Sequence, residues 1–200
     1  MPPQALTLSG QAVTLTPLES NDIPLLTKVA LAHPEAFTLT STPTSAAESK
    51  AYFSKALADM AAAKAHVFAM RSADTLIGTT RYTDIDWHQR SCELGYTWFD
   101  PAHFGTAVNV ESKFLLLRHL FEELGFLRAQ INTDSRNERS QAAVQALGAQ
   151  YEGTLRSHKF DKHGYRRDTL VFSVIAEDWP KVKEILSARL EEKRQGMKEK

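Results

Sequence analysis

Three strand-like runs follow one another closely, His66–Arg71, Leu76–Thr83 and Cys92–Phe99, and then the period changes. Val110, Phe114, Leu117, Phe121 and Leu124 fall on one helical face, Gly125 stands where a C′ glycine belongs, and another strand, Arg128–Thr133, comes next. Ser72-Ala73-Asp74 makes a tight turn between the first two runs, which favours antiparallel pairing there. A helix between two strands is instead the connection that parallel neighbours need. A chain holding both must build a mixed sheet with helices on its faces. The strictly alternating order of a dinucleotide-binding fold is excluded.

The flanks extend this pattern. Ala12-Val13-Thr14-Leu15-Thr16 alternates apolar and polar, and Pro17 ends it. Ser20-Asn21-Asp22 offers N-caps to a helix through Leu25, Leu26 and Val29, and Ser45 to about Ala63 repeats at helical spacing. Beyond Thr133, Glu138 to Leu147 forms a short helix stopped by Gly148. Gln150–Phe160 and Asp168–Ile175 pair as a hairpin across Asp161-Lys162-His163-Gly164, and a last helix begins near Glu177. The order is β-α-α-β-β-β-α-β-α-β-β-α, an α/β (α+β) arrangement. Residues 1–9 read as an extension, 10–187 as one domain, and 188–200 as a charged helix end that frays.

Composition narrows the function. The 200 residues carry 24 Lys+Arg and 24 Asp+Glu, so the net charge is zero. Binding along a nucleic-acid backbone draws on excess cation, which this chain lacks, though a local basic pocket for a small anion is compatible. No apolar run approaches the roughly 20 residues of a membrane span. Met1-Pro2-Pro3-Gln4-Ala5 does not read as a secretory signal, so a cytoplasmic protein is the expectation. Cys92 is the one cysteine and forms no internal disulfide. His33, His66, His88, His103, His119, His158 and His163 are scattered without metal-ligand spacing, so no metal is expected.

Two strand-to-helix junctions could carry chemistry. Asp100-Pro101 ends a strand, and the small residues Gly105-Thr106-Ala107 lead through Val108 and Asn109 into the long helix. Exposed amides and the positive helix end there favour a phosphate, although small residues before helices are also ordinary turns. In Thr133-Asp-Ser-Arg-Asn137-Glu-Arg-Ser140, Asn137 is placed as an N-cap with Ser140 at N3, which local physics reads as capping.

Together these segments resemble the GNAT superfamily of acetyl-CoA-dependent N-acetyltransferases over roughly residues 10–180. "CELGYTWFDP" looks like the fourth strand of the branch of RimJ and RimL type, the ribosomal-protein N-terminal acetyltransferases. "NERSQAAVQALGAQYEG" is similar to that branch's Asn-x-x-Ser helix followed by Gly and a strand. The pyrophosphate loop departs from the family pattern Gln/Arg-x-x-Gly-x-Gly/Ala, because Phe104, Ala107 and Asn109 stand at its three defined positions and Gly105 and Thr106 at free ones.

The resemblance implies a mixed sheet of about seven strands, splayed between Cys92–Phe99 and Arg128–Thr133, with acetyl-CoA lying in the gap. It implies that Trp98 and Phe99 offer backbone groups to the pantetheine arm, that Gly105, Thr106, Ala107, Val108 and Asn109 cradle the pyrophosphate, and that Asn137 holds a pantetheine amide. Glu93 matches the position where histone-acetylating relatives carry a general base; its other reading is a salt-bridged strand-end carboxylate. Counted by strand parity, Glu93, Gly95 and Thr97 share one face, opposite Leu94, Tyr96 and Trp98. Ser140 takes the place of a residue that stabilises the leaving thiolate or contacts the cofactor. Asp84, Asp86 and His88 are alternative contacts for a substrate amine, and Phe37, Tyr52, Phe160 and Tyr165 either line an opening or pack. The acceptor is then a small-molecule or peptide amine, in a monomer or a homodimer. A non-catalytic module that binds acyl-CoA or a partner is the competing reading, favoured by the altered loop.

Overall fold

A computed structural model describes residues 6–198. Its single sheet has eight strands in the order β1-β2-β3-β4-β5-β6-β8-β7. They are β1 (Leu8–Ser9), β2 (Thr14–Pro17), β3 (Ala65–Ser72), β4 (Thr75–Asp86), β5 (Ser91–Phe99), β6 (Arg128–Asp134), β7 (Gln150–Phe160) and β8 (Arg166–Ile175). All neighbours pair antiparallel except β5 and β6, which are parallel. The helices are α1 (Ile23–Ala32), α2 (Ala46–Ala61), α3 (Ala107–Arg118), α4 (Glu138–Ala146) and α5 (Trp179–Lys198). The mixed sheet read from the sequence is therefore present, with one strand more than the resemblance implied. The extra one is β1, from the segment set apart as an extension: it pairs with β2, and Leu8 is buried.

Strand β3 shows how the sheet holds two cores. His66, Phe68 and Met70 face α3 and α5, where they join Tyr82, Leu94, Leu116, Leu117, Val174 and Leu186. The intervening Val67 and Ala69 face α1 and α2 and pack with Leu26, Phe37, Phe53, Ala56 and Trp98. Burial on both faces is what a central strand of a covered sheet requires. The turns use the expected residues. Ala73 and Asp74 take positive φ between β3 and β4, Gly148 (φ +95°) stops α4, and Asp161 Oδ1 accepts the amides of His163 and Tyr165 at 2.9 Å in the β7–β8 turn.

Two ends differ from the sequence pattern. α3 does not run regularly to Leu124, because His119–Glu123 forms a π turn. α5 passes unbroken through Ala188, and in the stretch expected to be wholly solvated Leu190 is buried, Lys193 Nζ donates to the Gly105 carbonyl at 2.6 Å and Arg194 pairs with Glu111.

One buried charge stands out. Lys113 on α3 is 8% exposed, and its Nζ donates to Thr97 Oγ1 at 2.6 Å; among the described residues it has no carboxylate partner. Burial lowers its pKa from 10.5 to about 8. Below pH about 8 the folded protein carries this charge at full cost, and from there to 10.5 the unfolded chain holds the proton more tightly, so stability rises with pH across that window. Lys113→Met should remove this rise and stabilise the protein at pH 7 by on the order of 3 kcal/mol, read by denaturant unfolding at pH 7 and again at about pH 10.

Candidate active site

β5 and β6 are joined through only three rungs, Ser91↔Arg128, Cys92↔Ala129 and Glu93↔Gln130. Beyond them β5 continues to Phe99 and β6 to Asp134 without pairing to each other, so a wedge opens in the middle of the sheet. The cause lies on the other edge of β5. Trp98 pairs with Thr79 and Gly95 with Arg81, so two residues of β5 oppose Thr80 alone, and Tyr96 takes φ +53° at this bulge. A Cβ on Gly78 would collide with the Trp98 carbonyl and the Phe99 backbone, so glycine permits the close approach where β5 bends.

The bulge corrects the face assignment made from parity. Glu93 and Gly95 do share a face, but Thr97 is turned to the α3 side, where Thr80 Oγ1 lies at 2.8 Å and Lys113 bonds it. Tyr96 and Trp98 join Glu93 on the α1/α2 side. Trp98 is buried there, its ring edge-on to Phe37 at 6.2 Å and its Nε1 donating to Tyr52 Oη at 3.2 Å. Phe99 packs edge-on to Phe104. Both side chains are thus committed to the interior.

At the α3 end of the wedge, Gly105 has φ +75° and Thr106 is the N-cap, its Oγ1 accepting from Val108 N at 3.3 Å and donating to the His103 carbonyl at 2.7 Å. Ala107 does not need positive φ, so its Cβ brings no backbone strain. Ala107 and Val108 bury their side chains, and the amides of Gly105, Ala107 and Asn109 have no protein partner among the described hydrogen bonds. Cations reach this loop from elsewhere in the chain. Lys193 of α5 holds Gly105, and the Arg139 guanidinium lies 4.3 Å from the Phe104 ring centre. The positive charge absent at position 104 is therefore present in space.

Across the wedge, Asn137 caps α4 as its spacing predicted, Oδ1 accepting from Ser140 N at 3.0 Å. That leaves Asn137 Nδ2 and Ser140 Oγ without protein partners among the described hydrogen bonds. The turn beneath them is rigid: buried Asp134 receives Arg136 Nε and Nη2 at 2.9 and 2.7 Å, and Gln141 Nε2 donates to the Ser135 carbonyl at 2.8 Å.

Glu93 sits at the apex, on the last rung, and accepts from Asn132 Nδ2 of β6 at 2.6 Å. Burial raises its pKa, opposed by the charge of Lys159, the Asn132 bond and Arg167. Gly95 leaves the carboxylate its room, since a Cβ there would stand 3.1 Å from Glu93 Oε1. The adjacent Cys92 thiol is pushed up to about 12, chiefly by burial, and is no nucleophile.

Of the alternative contacts, Asp86 is engaged in its own turn, accepting the His88 and Gln89 amides at 2.9 and 2.8 Å. Phe37 is core, Tyr52 reaches the site, and Phe160 and Tyr165 are exposed on the β7–β8 hairpin. Sequence reasoning passed over Asn132, Lys193 and Arg81. The last is a charge in the otherwise uncharged run Thr79-Thr80-Arg81-Tyr82, and the structure buries it. No three His, Cys, Asp or Glu residues among those described gather into a metal site.

An open strand edge, free amides at a helix N-terminus and a half-buried carboxylate at the apex suit an extended polar ligand ending in an anion, next to a proton acceptor. Residues 12–150 match the family model of the acetyltransferase (GNAT) domain. A GCN5-related N-acetyltransferase from Brucella melitensis superposes with a TM-score of 0.83 at 26% identity, over 94% of this chain and 86% of that one. A probable acetyltransferase of the GNAT family from Chromobacterium violaceum ATCC 12472 gives 0.77 at 30% identity, over 89% of each chain. RimJ of Mycobacterium smegmatis, in complex with CoA-disulfide, shares the fold, with a TM-score of 0.77 at 19% identity over 92% and 93% of the two chains. None of the curated proteins matches the chain in sequence. The diverging strands and the match across more than half of the sequence agree: the chain belongs to the GNAT superfamily of acetyltransferases, with RimJ among its structural neighbours.

Proposed function

We propose that this acetyltransferase moves an acetyl group from acetyl-CoA directly onto a primary amine, with no acyl-enzyme stage. The wedge between β5 and β6 carries the proposal, because its bare main-chain groups match the amides of a pantetheine arm. The free amides of Gly105, Ala107 and Asn109, with Lys193 beside them, would hold the pyrophosphate, and Asn137 Nδ2 would donate to a pantetheine carbonyl. Acetyl-CoA supplies the activated acetyl group. A main-chain N–H near Trp98 polarises its carbonyl, as oxyanion-hole donors do. Glu93 receives the proton that the amine gives up as its nitrogen attacks, directly or through a water. The Ser140 hydroxyl donates to the departing sulfur; as a weak acid it stabilises the thiolate rather than protonating it.

The competing reading is a module that binds acyl-CoA or a partner without turnover, and Phe104, Ala107 and Asn109 favoured it. The ordinary backbone of Ala107 and the cations brought by α5 and α4 weigh against it. The acceptor falls in the class of peptide N-termini and small-molecule amines. Among the described residues no helix is long and apolar enough to cross a membrane.

Asn137→Ala should weaken acetyl-CoA binding by about 1–3 kcal/mol, about 5- to 150-fold by calorimetry; unchanged affinity would remove the residue from the cofactor site. Glu93→Gln should lower kcat/KM by about a hundred- to ten-thousand-fold. Because burial raises the Glu93 pKa from its ordinary value, the base is lost on acidification at a higher pH than for a free glutamate, and kcat/KM climbs as pH rises through that point. The variant should lack this limb and keep the one belonging to the amine. An identical profile in both proteins would show that Glu93 takes no proton.

A further inference from the structure

Arg81 of β4 is 3% exposed, and its Nε and Nη2 have no hydrogen-bond partner. No carboxylate among the described residues forms an ion pair with it. Its guanidinium is in contact with two aromatic rings, 4.7 Å from the centre of Tyr52 and 4.2 Å from that of Tyr96. Contact with aromatic rings engages a guanidinium through its π system and leaves its in-plane N–H groups needing an acceptor. A buried charge with an open edge destabilises the free protein, and an anion that reached the edge would relieve it.

The place of this edge is informative. Arg81 pairs with Gly95, and Glu93 lies two residues from that glycine on the same face, so the cation and the carboxylate flank one position that has no side chain. Both are on the α1/α2 side, whereas α3 and Lys193 cover the other side of the sheet. The phosphates of a cofactor at the α3 N-terminus are therefore not its partner. Tyr96 is 37% exposed, so one of the two rings that cover Arg81 borders solvent. Lys159 and Arg167, from the β7–β8 hairpin, add positive charge around Glu93; Asp84 is the opposing acidic group. The surroundings favour an anion arriving with the amine.

We propose that Arg81 binds a carboxylate of the acceptor, so that the acceptor is an amine carrying a carboxylate within a few bonds of the nitrogen that is acetylated. This rests on the acetyl-transfer reading for the amine and on Arg81 alone for the anion. Two sources share the chemistry: the α-carboxylate of a free amino acid, and the acidic side chain of a peptide's first residue. The Arg81 fork grips either in two parallel hydrogen bonds.

The test is calorimetric titration of the CoA-loaded protein with two probe pairs, alanine against alaninamide and Asp-Ala-Ala amide against Asn-Ala-Ala amide. In one pair the carboxylate member should bind tighter by at least about thirtyfold, and that pair names the source. Arg81→Gln should reduce this preference to about threefold or less while leaving the affinity for CoA unchanged. Arg81→Lys, which keeps the charge and loses the fork, should retain an intermediate preference and serves if the glutamine variant does not fold. Equal affinities within both pairs for the wild type, or a preference of undiminished size in Arg81→Gln or Arg81→Lys, would overturn the proposal. Binding is read apart from turnover. A protein that prefers the carboxylate through Arg81 but acetylates neither probe keeps this site and loses the acetyl-transfer reading; one that acetylates both members equally does the reverse.

Discussion

The outward bend of β5 is the constraint on which the rest of the site depends. A parallel ladder that stops after three rungs leaves main-chain groups bare in the centre of a covered sheet, where each would otherwise be paired. The strand does not swing back to close the gap because it is pinned from both faces. Trp98 is tied to Tyr52 and wedged against Phe37 on the α1/α2 side, while Thr97 is tied to Thr80 and Lys113 on the α3 side. The bulge at Tyr96 is what allows adjacent residues to be anchored in opposite directions. Re-pairing β5 with β6 would break both anchors at once.

Much of this was legible in the sequence. The change from period two to period 3.6 around residue 110, the turn at Ser72-Ala73-Asp74, and the glycines after α3 and α4 are local signals, and local signals gave the element order. The Asn137–Ser140 cap was readable for the same reason, since an N-cap and its N3 amide lie within one turn of chain. The face of Thr97 was not readable. Parity assumes an unbroken strand, whereas the bulge is set by how β5 meets β4, through the missing Cβ of Gly78 and the packing of Trp98. Lys193 was misjudged likewise: in a run of charges it reads as solvated, and only the docking of α5 on α3 carries it to Gly105. Asn132 and Glu93 meet across a parallel crossover 39 residues apart, a contact no window of sequence contains.

The loop before α3 illustrates how a motif can change while the features an anion needs persist. What an anion needs at a helix N-terminus is accessible N–H groups and positive charge, and neither is bound to one residue type. Thr106 caps the helix through Val108 alone and leaves other amides open, so the loop keeps its donors. The charge is supplied by Lys193 and Arg139 from helices distant in sequence. Phe104 in turn gains an apolar neighbour in Phe99 and a cation over its face, so a large aromatic is accommodated where a polar side chain is the family pattern.

Three ionisable groups, two of them buried, surround the bulge without a full complement of opposite charges: half-buried Glu93 at the apex, Arg81 on one face and Lys113 on the other. Each weakens the free fold, since removing a charge from water is costly unless a partner replaces the solvent. Their separation matters more than their sum. Glu93 and Arg81 share the α1/α2 face without forming an ion pair, so the carboxylate can accept a proton and the guanidinium edge stays without a partner. Had the two closed on each other, the pair would be satisfied and neither could serve a ligand. Gly95 fixes their relation, because it stands across from Arg81 and beside Glu93 and adds no atom between them. The same bend that opens the sheet on one edge of β5 therefore spaces opposite charges along the strand, and the proposed recognition and proton transfer both depend on one irregular residue in β5.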